Sequence, residues 1–164
     1  MEEGNRSGER ALGVGGLLHM SRMIDVSHKK VVRRTATAEG FLLLKESTMR
    51  AIASESVKKG DVVAASKLAG IQGAKATAAT LPLCHQVPLT SIEIQIARKK
   101  DRLRCKCTVS AQYKTGVEME ALVGVTVALL NAWDMVKYLE KDETGQYPET
   151  RITDVRVLRK QKGD

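Results

Sequence analysis

The chain has 164 residues, of which 43% are apolar, so it is long enough for one domain with a core of its own. Its aromatic residues are Phe41, Tyr113, Trp133, Tyr138 and Tyr147, which makes the core aliphatic and leaves none of the stacking platforms that single-strand nucleic-acid binders use. The formal charge of +8 draws phosphates, of nucleic acid or of a small nucleotide, although most of the excess lies in a hairpin and a tail that solvation alone accounts for.

Residues 1–21 hold five glycines and little periodicity, and read as a flexible leader to a single domain over 22–164. Residues 31–44 are rich in β-formers and predict a first strand. Ser47 or Thr48 is placed to cap a helix running to Val57, which Lys59-Gly60 ends. Asp61 then caps an alanine-rich helix over 62–79, which closes before Pro82. Two prolines frame Leu83-Cys84-His85-Gln86-Val87 and predict a rigid loop that presents an imidazole. Ile92, Ile94 and Ile96 alternate with polar residues, as do Leu103, Cys105, Cys107 and Val109, with a hairpin at 99–101 between them. A long helix follows over 118–140, with Leu122, Val125, Leu129 and Leu130 at helical spacing, and a last strand over 151–158. The order β-α-α-β-β-α-β predicts an α+β fold, an antiparallel sheet with helices packed on one face, compatible with a ferredoxin-like arrangement.

Three cysteines with no secretory signal ahead of them point to a reducing, cytoplasmic setting. Cys105 and Cys107 are expected in the core as small apolar groups, and no metal site is expected, since zinc needs more ligands at better spacing. No run of about 18 apolar residues predicts a membrane span.

The polar residues of the long helix admit two readings. Glu118 and Glu120 suit the positive end of a helix dipole, and Asp134 with Lys137 suits a surface ion pair. Their spacing adds an inference. Glu120 and Asp134 are 14 positions apart, about 21 Å along a helix and some 40° around it. Both point the same way, yet they are too far apart to serve one small substrate from one chain. If they share a site, two subunits supply its ends.

Six segments, in order, carry a family likeness: Met23-Ile24-Asp25-Val26-Ser27, 34–40, Lys58-Lys59-Gly60-Asp61-Val62 with 69–75, 81–90, 114–122 and 133–142. Together they closely resemble the cyclic pyranopterin monophosphate synthases, the molybdenum cofactor biosynthesis protein C family, over residues 22–160. The resemblance implies a ferredoxin-like fold and a lyase. Its reaction converts (8S)-3',8-cyclo-7,8-dihydroguanosine 5'-triphosphate to cyclic pyranopterin monophosphate and pyrophosphate, an early step of molybdopterin formation. It implies a substrate supplied by a radical-SAM GTP cyclase and a homohexamer, a trimer of dimers, with sites at the dimer interface. No cofactor is required, Mg²⁺ accompanies the triphosphate at most, and neither nucleic acid nor membrane is a partner.

The same resemblance assigns the site. Asp134, Lys137 and Lys59 are the catalytic candidates, the lysines transferring protons with pKa values lowered by neighbouring cations. Leu83, Cys84, His85, Glu118, Met119 and Glu120 form the substrate pocket, the carboxylates meeting the N–H edge of the base. Arg34, Lys75 and Lys160 hold phosphate. The chain departs from the family's usual pattern at Gln86, where proline commonly follows the histidine, and at its short C-terminal tail. The competing readings are a basic ferredoxin-like nucleic-acid-binding module, which leaves Glu118, Glu120 and Asp134 unexplained, and a structural homo-oligomer, which leaves the Cys84-His85 loop unexplained.

Overall fold

A computed structural model describes residues 21–163, so the leader expected over 1–21 falls almost wholly outside the described residues. Alternating side chains build its sheet. Along β3 (Arg102–Tyr113), Leu103, Cys105, Cys107, Val109 and Ala111 are buried, and the intervening residues face away from the core. β3 pairs on one side with β1 (Val32–Leu43) and on the other with β2 (Leu89–Arg98), while β4 (Arg151–Lys162) pairs with β1. All neighbours are antiparallel, and the order β2-β3-β1-β4 is that of a ferredoxin-like sheet. Cys105 and Cys107 sit in the core as expected, where burial pushes both thiols up to about 12.

One face of the sheet is covered. α4 (Glu118–Glu140) lies across β1 and β3, and α2 (Val62–Lys75) packs along α4 and over β2. The two helices approach closely because Gly70 and Gly124 face each other. A methyl group on Gly70 would stand 2.9 Å from the Gly124 carbonyl oxygen, and one on Gly124 would stand 2.7 Å from Cys107 Sγ. α4 has the length and apolarity of a membrane span, which its packing against sheet and α2 accounts for. The other face of the sheet is polar. Thr35 pairs with Ser110 and Thr37 with Thr108, each at 3.0 Å. Beside them the buried Glu39 accepts from Arg104 and Arg156.

Four boundaries differ by more than one residue from the sequence-based expectation. α1 (Glu46–Ala53) has Lys45 at its N-cap, with Ser47 and Thr48 inside the helix. Here the polar partner at the helix start comes from afar: both oxygens of Glu140, at the end of α4, accept the Lys45 N–H at 3.2 Å. α1 also ends four residues early. Ser54 and Ser56 bond back to the carbonyls of Arg50 and Ala51, offering the chain an alternative to another helical turn. Asp61 caps α2 as expected, accepting from Ala64 N at 2.9 Å. α2 stops at Lys75, and a single turn, α3 (Thr77–Thr80), follows once Thr77 Oγ1 donates back to the Ala74 carbonyl at 2.9 Å. β4 runs four residues past Leu158, carried by two bulges and a left-handed Asp154 (φ 52°) that keep it in register with β1.

Candidate active site

The loop after α3 and the start of α4 meet at one end of the sheet. There Leu83, Cys84, His85, Met119 and Glu120 line a cavity of about 350 Å³, joined by Ile24, Val26, Arg22 and Lys29 from the segment before β1. His85 Nε2 donates to the Ile24 carbonyl oxygen at 2.7 Å. A carbonyl can only accept, so Nε2 carries a proton in this bond, and a neutral ring would then have Nδ1 as its acceptor. The segment is held in turn by Lys114 Nζ on the Ser27 carbonyl at 2.7 Å and by a local turn in which Asp25 accepts from Ser27 N and Oγ.

Burial sets the protonation of this cavity. Glu120 is 4% exposed, and desolvation pushes its carboxyl upward, with the nearby Glu118 adding to the effect. Burial also raises the Cys84 thiol, helped by the charge of Glu120, so Cys84 stays protonated near neutrality.

Two cationic hollows adjoin the cavity. One, of about 420 Å³, is lined by His28, Lys29, Lys30, Arg34 and Lys162 with no carboxylate among its lining residues, and shares Lys29 with the cavity. The second shares Thr115 and Gly116 with the cavity and contains Arg34, Glu118 and Lys160. Lys160 Nζ sits 3.0 Å from Glu118 Oε1. Arg34 donates to the Tyr113 and Lys114 carbonyls at 3.5 and 3.4 Å. Lys75 lies at the margin, in a shallow hollow with Thr90 and Ser91 that touches the cavity only at Val87.

The remaining candidates gather elsewhere. Near the far end of α4, Asp134 takes Lys59 Nζ on Oδ2 at 2.5 Å and Lys137 Nζ on Oδ1 at 2.8 Å. Hydrogen bonds from Lys137 and then Lys59 hold the Asp134 carboxyl down to about 2. The pairing works the other way on Lys137, whose pKa is raised by its bond to Asp134. The lowered pKa expected of Lys137 is thereby corrected. Its nearest charged partner is an anion and its side chain is about half exposed, so neither a neighbouring cation nor burial drives the proton off. Trp133 and Tyr147 meet edge-to-face at 5.7 Å on α4 and the loop beyond it.

Lys75 apart, the structure therefore gathers the sequence candidates into two groups, one around Glu120 and one around Asp134 of α4, about 21 Å apart by helical rise. Sequence reasoning missed Arg22, Ile24, Lys29 and Lys162 as lining residues. The Asp25-Val26-Ser27 turn was the available signal for the first three, since an Asx-type turn ahead of a strand orders the backbone that enters and leaves it. Lys162 fell beyond the expected end of β4. Among the described residues no three His, Cys, Asp or Glu side chains converge as a metal set.

Similarity to known proteins spans most of the chain. A model of the MoaC family matches residues 23–163. A probable cyclic pyranopterin monophosphate synthase of Archaeoglobus fulgidus is 52% identical over 142 residues, 87% of this chain and 91% of that protein. One of Thermococcus kodakarensis is 52% identical over 143 residues, 87% and 92% of the respective chains. A protein of Methanothermobacter thermautotrophicus named a probable cyclic pyranopterin monophosphate synthase accessory protein is 51% identical over 141 residues, 86% and 89%. With nearly all of its described residues matched, the chain belongs to the MoaC family.

Proposed function

We propose that this chain is a cyclic pyranopterin monophosphate synthase. It acts as a lyase on 3',8-cyclo-7,8-dihydroguanosine 5'-triphosphate and releases cyclic pyranopterin monophosphate and pyrophosphate. One observation carries the reading beyond family membership: a cavity with a buried carboxylate and an imidazole opens onto hollows lined by cations. A guanine-derived ring presents N–H donors, and a triphosphate presents several negative charges. A pocket that accepts hydrogen bonds at one end and supplies cations at the other suits both halves of that molecule.

On this reading Glu120 and Glu118 accept from the base, and His85 Nδ1 takes a proton. Arg34 and Lys160, with His28, Lys29, Lys30 and Lys162 beside them, hold the phosphates, and Lys75 lies at the edge of that field. Leu83, Cys84 and Met119 pack against the ring. Closing the cyclic phosphate joins a sugar hydroxyl to the α-phosphorus, breaks the bond to the β-phosphate bridge oxygen and frees pyrophosphate. The hydroxyl must lose a proton and the leaving group must be neutralised. Lys137, kept protonated by Asp134, is a proton donor, and Lys59 shares the same carboxylate. Proton and phosphoryl transfers of this kind need no resident cofactor, and Mg²⁺ enters as the counter-ion of the triphosphate.

The separation of the two groups on α4 supports a site completed by a second subunit, within a homohexamer built as a trimer of dimers. A radical-SAM GTP cyclase supplies the substrate, in the cytoplasm. The test is direct. Purified protein given the cyclised dihydroguanosine triphosphate should release one pyrophosphate per pterin product. GTP itself should yield none. Absence of pyrophosphate with the cyclised substrate would refute the assignment.

A further inference from the structure

Tyr138 follows Lys137 on α4 and takes part in neither group of candidates. Its hydroxyl oxygen accepts the backbone N–H of Lys58 at 3.0 Å, and its ring lies 5.4 Å from the Lys58 ammonium. Both contacts fall on the turn that leads from α1 to α2, which passes through a left-handed Gly60 (φ +93°) before Asp61 caps α2. The next residue in that turn is Lys59. Its ammonium meets Asp134 Oδ2 at 2.5 Å and the Asp134 carbonyl at 3.1 Å.

An exposed lysine on a turn samples many rotamers, and an exposed ion pair does little to hold it. Lys59 and Asp134 are each about half exposed. Something else must fix the backbone from which Lys59 extends. On the core side the buried Val57 does so, its carbonyl accepting Gly60 N at 2.9 Å. On the solvent side the Tyr138 hydroxyl ties the turn to the same helix that carries Asp134 and Lys137. The hydroxyl adds nothing to the core, since Tyr138 is 38% exposed.

We propose that Tyr138 is a positioning residue: its hydroxyl fixes the Lys58 amide on α4 so that the Lys59 ammonium is delivered to Asp134. The kinetic consequence rests on the synthase reading. The positional one does not.

Tyr138→Phe removes the oxygen and keeps the ring and its cation contact. It should lower kcat for pyrophosphate release about tenfold while KM stays within about twofold, the pattern of a lost transition-state arrangement rather than lost binding. A kcat equal to wild type overturns the proposal. An activity-independent measurement accompanies it: brief acetylation with acetic anhydride, quantified at each lysine by mass spectrometry, with the exposed Lys67 on α2 as internal reference. Lys59 released from Asp134 should label about threefold faster in Tyr138→Phe, since an amine no longer held against a carboxylate by two hydrogen bonds is more open to the reagent. Unchanged Lys59 labelling overturns the proposal even if kcat falls. Wild-type protein that releases no pyrophosphate refutes the synthase reading and leaves the labelling result to decide the role of Tyr138.

Discussion

A mixture of two inactive variants, Glu120→Gln and Asp134→Asn, should regain about a quarter of wild-type turnover if a two-fold dimer builds each site from both chains. The two carboxylates are on one helix at a separation of about 21 Å, from 14 residues at the helical rise. A site that needs both must take the Glu120 end from one protomer and the Asp134 end from its partner. In an equimolar, fully exchanged mixture, about half the dimers are mixed. Each mixed dimer has one site with both wild-type halves and one with neither. Neither change threatens the fold. Gln preserves the shape of a side chain that is 4% exposed, and Asp134 stands about half exposed in contact with two lysines. Turnover would be followed as pyrophosphate release, and exchange by native mass spectrometry of isotopically distinct chains. Exchange without recovered activity would refute the argument and assign the site to a single chain.

Three further outcomes test the electrostatics. Glu39 is 1% exposed; burial pushes its carboxyl up, but bonds from Arg156 and Arg104 outweigh this and leave its pKa below the ordinary 4.5. A depressed carboxylate stabilises above its unfolded pKa and loses that contribution as pH falls through its folded value. Thermal melts should therefore show wild-type stability declining below about pH 4.5, with a shallower decline in Glu39→Gln. At pH 7, Glu39→Ala should cost about 2 kcal/mol, less than a fully buried pair because both arginines can rehydrate, and lower Tm by about 4–8 °C. An unchanged Tm would refute it. Iodoacetamide should alkylate Cys84 more slowly than a free cysteine at pH 8, because burial holds the thiol protonated, and Glu120→Gln should accelerate it in part by removing the charge that adds to this effect. Equal rates in the two proteins would show that Glu120 does not act on Cys84.

Elements defined by local periodicity could be read from the sequence. β2 and β3 follow their alternating isoleucine, leucine and cysteine positions, α4 follows its apolar stripe from Glu118 to Glu140, and Asp61 caps α2 because its carboxylate needs only an amide three residues away. Features settled by distant partners could not. The start of α1 is served by Glu140, 95 residues from Lys45, and β4 continues because β1 offers it a ladder that its own composition does not announce. The candidate site divides in the same way. The helical spacing of Glu120 and Asp134 announced two separate groups. The segment around Ile24 enters the cavity through a hydrogen bond to His85 that spans 61 residues, and the Tyr138 hydroxyl meets Lys58 across 80, contacts that no local pattern announces.

Because one uninterrupted helix carries both groups, the chain has little freedom to gain or lose residues between Glu120 and Asp134. A single insertion in α4 would swing Asp134 by about 100° away from the Lys59 turn. It would rotate Val125, Leu129, Ala132 and Val136, all buried, out of phase with the residues ahead of it. Four inserted residues would nearly restore the angle but lengthen the span by about 6 Å. The loop between α4 and β4 carries no such constraint, since length added after Glu140 and before Thr150 leaves both groups where they are. Length variation in functional relatives should therefore collect in that loop, with α4 keeping a fixed count.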